Sequence, residues 1–220
     1  MSLHKSAWLV LSVILLTGGV AQSQTNKKTT QEATSILPAK KMRVVDGWRS
    51  AKFGMTENQV ERAILKDFEV PAKRLLREEH PTEKTIYLTI YLKDLIYNGG
   101  FTRVSYVLGY KSKRLTKVEL LWGNGVLNKD IKIDAKLVLS ASSLLGKYFK
   151  KQGYQKEGYV DNVKLKDGTI IVFRGQDDKG RMILLRLHSF DPKNPKKTDK
   201  NIALILSYVK NINKRDIFRN

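Results

Sequence analysis

The sequence predicts an α+β fold made of two tandem modules, each a helix packed on an antiparallel β-sheet. A capped helix begins near residue 56, segments with the alternation of half-buried strands follow it, and the same order recurs in the second half. With 220 residues, 41% of them hydrophobic, the chain can bury one good core or two small ones. We therefore expect a first module at 46–130 and a second at 131–212.

The first helix has the clearest start signal in the sequence. Thr56 is a favourable N-cap, and Gln59 three residues later completes a capping box. Met55 before the cap and Val60 within the helix have the spacing of a hydrophobic staple. Gly54 permits the sharp entry of the chain. The predicted buried side is the apolar stripe at helical spacing, Val60, Ala63, Ile64 and Phe68.

Three strands are expected after this helix. In residues 85–92, Ile and Leu alternate with Thr and Tyr, which is the period of a half-buried strand. Asn98-Gly99-Gly100 marks a turn into a strand at 101–108. Residues 109–113 turn again into a strand at 115–122.

The second half has the same predicted order. Its helix ends near Gly153, a residue type common after helix C-termini. Strands are expected near 158–165, 169–174, 181–189 and 201–209. The apolar stripe of this second helix comprises Leu137, Val138, Ala141, Leu144, Leu145, Tyr148 and Phe149.

The first 21 residues have the features of a secretory signal peptide. His4 and Lys5 give a positive start, and the apolar run at 7–16 is shorter than the about 20 residues that span a bilayer. Small residues at the required spacing predict cleavage at Ala21 or Ser23. An uncleaved anchor or a buried helix is the alternative.

The remaining terminal segments are polar. Residues 22–45 are expected to form a flexible leader, because they lack a sustained hydrophobic period. Residues 213–220 are assigned to a C-terminal tail. The mature protein is then expected in the periplasm, or secreted, without a transmembrane anchor.

Composition narrows the function classes. The chain has no cysteine, which excludes disulfides, thiolate metal sites, a cysteine nucleophile and a lipidated cysteine. The formal net charge is +20, and loss of the signal peptide removes only one lysine, Lys5. After export, such a charge favours anionic envelope components or acidic proteins as partners rather than nucleic acid. The alternative is that lysines only decorate solvated surfaces, since they are scattered through the chain.

The segment FGMTENQV (53–60) resembles the F-G-M-T-x-x-x-V signature of β-lactamase-inhibitor-like proteins and small outer-membrane assembly lipoproteins. The segment WRSAKFGMT (48–56) is also similar to uncharacterised exported bacterial proteins. The resemblance implies a helix packed on an antiparallel sheet, tandem modules as in the inhibitors, and protein binding. The second helix lacks the G-M-T signature, and the family's cysteines are absent.

No catalytic residue, metal ligand or cofactor is predicted. His80 lies in a polar segment whose spacing matches no zinc arrangement, and His188 is expected at the rim of a strand. Ser207 and Lys210 fit an S-x-x-K pattern, but the helix start and further motifs of that chemistry are missing. Asp177 and Asp178 are explained by the chemistry of a turn.

A binding surface is the favoured hypothesis for the site. If the aliphatic residues of 85–92 face the helix, the tyrosines between them project from the opposite face of the sheet. Tyrosine and arginine are enriched among interface hot spots, although an antiparallel sheet also commonly leaves one polar face in water. The predicted partner-binding residues are Tyr87, Tyr91, Arg103, Lys117, Arg174, Arg186 and His188.

Three functions are carried forward from the sequence. The first is an exported, non-enzymatic module that binds a protein or envelope component through open sheet faces. The second is a basic adhesion protein for anionic lipid or lipopolysaccharide, and the third is a small hydrolase with an unrecognised site. For the second function, a basic loop supplies the candidate contacts Lys193, Lys196, Lys197 and Lys200.

Overall fold

The fold is that of a computed structural model, which describes residues 41–97, 99–126, 134–188 and 202–219. Two short strands, β1 (Gly47–Trp48) and β2 (Ala51–Lys52), pair with each other ahead of helix α1 (Glu57–Phe68). In sequence order, the next strands are β3 (Leu76–Glu79), β4 (Ile86–Lys93), β5 (Phe101–Leu108) and β6 (Leu115–Gly123). Helix α2 (Ala135–Lys150) comes before β7 (Val160–Lys164), β8 (Ile170–Gln176), β9 (Met182–His188) and β10 (Ala203–Val209).

The prediction of two separate helix-on-sheet modules is wrong. The strands β3 to β10 form one eight-stranded antiparallel sheet, in the order β3-β4-β5-β6-β10-β9-β8-β7. A helix precedes four strands in each half of the chain, but β10 pairs with β6 along its whole length and joins the halves. The described residues contain two α-helices, so the fold is mostly β. Strand alternation sets which residues share a face, but it does not indicate which strand is the neighbour.

Both helices contribute to one core on the same side of this sheet. The buried residues Val60 and Ile64 of α1 belong to the same hydrophobic cluster as Val138 and Phe149 of α2. From the sheet, this cluster takes alternate residues of the central strands, among them Leu88, Tyr106, Val118, Tyr208 and Ile183, which are neighbours in register. The core is therefore continuous across both halves.

Helix α1 begins with the capping box that the sequence indicated. The side chain of Thr56 accepts from the backbone N–H of Gln59, and the Gln59 side chain accepts from the backbone N–H of Thr56. Gly54 has a φ of 90°, a left-handed value that favours glycine. The buried positions of the helix are Val60, Ala63 and Ile64.

The predicted buried stripe of α2 is only partly right. Val138, Ala141 and Phe149 are buried, whereas Leu144 and Tyr148 are 56% and 51% exposed. Each helical residue turns by about 100°, so Leu144 lies about 200° from the buried Ser142. The apolar arc of α2 is wider than the surface it buries.

The structure also has strands that the sequence did not indicate. Strand β3 carries the residues Leu-Arg-Glu-Glu, all exposed, and its residues pair with β4 at one edge of the sheet. The charged sequence of β3 has no alternation of buried residues, so its strand conformation depends on its backbone pairing with β4. Charged residues are also a common protection for an edge strand.

The segments next to the sheet are anchored by carboxylates. In the predicted leader, the N–H of Val45 donates to Asp177 Oδ2 at 2.9 Å. In the predicted tail, Asp216 accepts from the N–H groups of Lys111 and Ser112 at 2.8 and 3.0 Å. Burial opposes ionisation of Asp216, but these hydrogen bonds outweigh it and lower the pKa of the carboxyl. A side chain at Gly109 would collide with this carboxylate, because its Cβ would lie 2.1 Å from Oδ2.

The signal peptide, its cleavage residues Ala21 and Ser23, and the leader up to residue 40 lie outside the described residues. The expected boundary between 130 and 131 also lies outside them.

Candidate functional site

The candidate site is the face of the sheet opposite the helices, which we call the uncovered face. Neither α1 nor α2 lies on it, because both pack into the core on the other side. The alternation of β4 places Ile86, Leu88 and Ile90 in that core and projects Tyr87 and Tyr91 the other way.

The strand registers bring the predicted binding residues onto this one face. Tyr87, Val107, Lys117, Val209 and Met182 are neighbours in one row across the sheet. Tyr91, Arg103, Leu121, Ile205 and Arg186 form a second row. Between these rows lie Thr89, Ser105, Glu119, Ser207, Leu184 and Arg174. His188 shares the face two residues beyond Arg186, so all seven residues lie on one side of a single sheet.

An apolar patch occupies one part of the uncovered face. Leu121, Val126 and Ala203 are buried together there, and the half-buried Tyr91 and Ile205 pack against them. Val126, which follows β6, is buried against Leu121 on this face. The patch packs against the centre of the second row and leaves part of Tyr91 accessible.

Hydrogen bonds hold the polar residues beside this patch. Glu119 Oε2 lies 3.1 Å from Lys117 Nζ and accepts from the hydroxyl of Ser207 at 3.3 Å. The hydroxyls of Thr89 and Ser105 are 3.0 Å apart. These contacts orient the polar groups of the central strands before any ligand binds.

The arginines of the face are held differently. Arg103 donates to the carbonyl of Gly125 at 3.0 Å, and Arg174 Nε donates to the carbonyl of Gly158 at 2.7 Å. Arg186 Nε is shielded from solvent and has no hydrogen-bond partner among the described residues.

His188 lies beside Arg186 at the end of β9. Its Nδ1 is 3.1 Å from the hydroxyl of Thr169, and its Nε2 has no partner within the described part of the chain. Burial is the main cause that lowers the pKa of His188, and the positive charge of Arg186 adds to it. The neutral form of the imidazole is therefore favoured, so the histidine adds little positive charge to the face.

Residues weighed for chemistry in the sequence have structural roles. His80 Nδ1 accepts from the N–H of Glu83 at 3.0 Å, and its ring stacks on Tyr87 with centroids 6.0 Å apart. Ser207 lies in the middle of β10, not at a helix start, and donates to Glu119. Asp177 accepts from Arg181 and from two further N–H groups of its own turn, as well as from Val45.

Several residues of the uncovered face were missed in the sequence. These are the alternate residues of β10, Ile205, Ser207 and Val209, together with Glu119 and Leu184. Their alternation with Leu204, Leu206 and Tyr208 carries the signal, but the central place of β10 depends on its pairing with β6. The basic loop residues Lys193, Lys196, Lys197 and Lys200 lie outside the described residues.

Two further searches cover only the described residues. No group of three or more His, Asp or Glu side chains among them is placed to hold a metal ion. Within the same ranges, neither helix is long and apolar enough to cross a membrane.

Comparison of the chain with protein-family models, with curated proteins and with solved structures finds no match.

Proposed function

We propose that this protein is an exported, non-enzymatic binding protein that recognises another protein through the uncovered face of its sheet. The observation that supports the proposal most is the residue content of that face. Two tyrosines, three arginines and a lysine lie there on adjacent rows of one rigid sheet, around the apolar patch of Leu121, Val126 and Ala203. Aromatic and arginine side chains around an apolar centre are typical of protein interfaces.

The charge of the face indicates the kind of partner. Among the described strands, this face carries Arg103, Lys117, Arg174 and Arg186. Its carboxylates include Glu119, which is already paired with Lys117, and Glu78 on the edge strand beside Tyr87. A partner surface with carboxylates at its rim and an apolar side chain at its centre complements this arrangement. The positive charge of the half-buried Arg186 complements one such carboxylate.

Affinity capture with matched variants tests the proposal. The chain without residues 1–21 is immobilised and exposed to detergent-solubilised envelope of the source cell, at about 0.15 M and about 1 M salt. We expect one protein to be retained at both salt concentrations. Arg103→Glu should abolish its capture, while Arg62→Glu, the same charge change on the exposed side of α1, should not.

Two outcomes would contradict the proposal. One is equal loss of capture by the Arg103 and Arg62 variants, because binding would then follow net charge and not the uncovered face. The other is retention of lipid or lipopolysaccharide alone, lost at high salt, which would favour adhesion to anionic surfaces.

A further inference from the structure

The outer surface of α2 differs in kind from that of α1. Three large apolar side chains of α2 are strongly exposed: Leu139 at 48%, Leu144 at 56% and Tyr148 at 51%. Among the described residues, none of the large hydrophobic side chains that are exposed belongs to α1. The helices occupy comparable places before four strands each, so the difference is not a consequence of helix position alone.

The charges of the two helices differ in the same way. Helix α1 carries acids and bases together, with Glu57, Glu61 and Asp67 among its residues. Helix α2 contains no acidic residue after its N-cap Asp134, and its exposed charges from there on are lysines. Lys136 lies at the N-terminal end of its exposed side, while Lys147 and the C-cap Lys151 lie at the other end.

The apolar residues lie between these lysines. Leu144 and Tyr148 are one helical turn apart and share one side of α2. Leu139 lies about 140° around the helix from Leu144, next to a groove of about 350 Å³ between the helix and the sheet. The groove has an apolar floor of Ile170, Val172 and Leu187. The groove therefore lies on the other flank of the helix from Leu144 and Tyr148, and the exposed Ser143 and Lys147 lie between them.

We propose that the outer side of α2 binds the surface of an anionic phospholipid bilayer. Exposed apolar side chains flanked by lysines, on a helix without acids, match the interface between headgroups and acyl chains, where apolar groups enter and lysines reach the phosphates. The charge complementarity selects an anionic bilayer over a neutral one. This second surface faces away from the uncovered face, so the protein can hold a bilayer and a protein at the same time.

Vesicle co-sedimentation tests this inference. The chain is used without residues 1–21, whose apolar run would itself bind lipid, and which lie outside the compact unit Ala39–Asn220. We expect binding to vesicles of about three parts phosphatidylcholine to one part phosphatidylglycerol, and at least tenfold weaker binding to phosphatidylcholine alone, since each lysine near the surface contributes about a factor of five.

Charge reversal on each helix supplies the matched control. Lys147→Glu with Lys151→Glu should weaken binding to anionic vesicles by about tenfold or more. Arg62→Glu with Lys66→Glu makes the same charge change on α1. This double variant should weaken binding to anionic vesicles by less than threefold, because only the net charge of the protein has changed. Equal losses in the two double variants would overturn the proposal, because the attraction would then be spread over the whole chain.

Insertion of the apolar residues needs its own readout. In Tyr148→Trp, a tryptophan replaces an exposed side chain, so folding is not at risk. Brominated lipid should quench its fluorescence well beyond the quenching of the unsubstituted chain, whose Trp122 is buried in the core and whose Trp48 is half-buried. Binding without added quenching, or loss of a captured protein instead of vesicles in the α2 variants, would show that this side does not enter a bilayer.

Discussion

The two faces of the sheet are formed by the same strands, but they differ in residue content and in burial. On the covered face, residues such as Val104 and Leu185 are fully buried beneath the helices, and the side chains are almost all apolar. On the uncovered face, adjacent positions of the same strands carry half-buried residues such as Arg103 and Leu184, while Ser105, Ser207 and Leu121 there are buried. One alternating sequence thus encodes a core on one side and an ordered, mixed surface on the other. Substitutions on the two faces should therefore have opposite consequences for stability and binding.

The largest expected effect comes from β8, where the two faces can be compared within one strand. Phe173 is completely buried, and its ring stacks on that of Phe149 with the ring centroids 5.6 Å apart. Phe173→Ala should therefore lower the free energy of unfolding by about 3–5 kcal/mol. Ile171 lies on the uncovered face and is half-buried, so Ile171→Ala should cost only about 1 kcal/mol. Urea unfolding of both variants measures the difference. Equal losses would mean that the uncovered face is also part of a core.

An intermediate effect is expected at Glu119, the paired carboxylate of the uncovered face. Glu119→Ala should lower the free energy of unfolding by about 1–2 kcal/mol, since it leaves Lys117 unpaired and removes the acceptor of Ser207. Glu79→Ala breaks an exposed ion pair with Lys84 and should change the free energy of unfolding by less than about 0.5 kcal/mol. Thermal unfolding of the two variants measures both values. An equally small change at Glu119 would show that its hydrogen bonds do not order the face.

The smallest effect concerns the pH dependence that His188 contributes. Because its pKa is lower in the folded chain than in the unfolded one, the unfolded chain binds more protons, and the folded chain loses stability as the pH falls below about 6.5. His188→Gln should therefore lose less stability than the unsubstituted chain between pH 7 and pH 5. The groups facing this imidazole are Arg186, which lowers its pKa, and Asp167 and Glu119, which raise it. Urea unfolding across this pH range measures the difference, and parallel curves for the two proteins would contradict the assignment.

Alternation along each strand made much of this arrangement predictable. The strands β5 and β6 were expected at 101–108 and 115–122 and lie at Phe101–Leu108 and Leu115–Gly123. The same alternation placed Tyr87 and Tyr91 opposite the core. The charged β3 and the two-residue β1 and β2 depend on backbone pairing and carry no such pattern.

The joining of the halves could not be predicted from local signals. Its cause is the pairing of β10 with β6, between residues at least 80 positions apart, and no turn motif connects them. For the same reason, Ile205 and Ser207 were missed as members of the site. The exposure of Leu144 and Tyr148 was also hidden, because an apolar stripe does not indicate how much of its width a partner element covers.

Photo-crosslinking from the uncovered face tests the central claim most directly. A photoreactive phenylalanine analogue is placed at Tyr91 on that face, or at the control Tyr97, which is 90% exposed beyond the end of β4. In intact source cells, we expect the analogue at Tyr91 to form a covalent adduct with one protein and the analogue at Tyr97 to form none. Protein adducts from Tyr97 alone, or no protein adduct from Tyr91, would contradict the assignment of the uncovered face as the binding site.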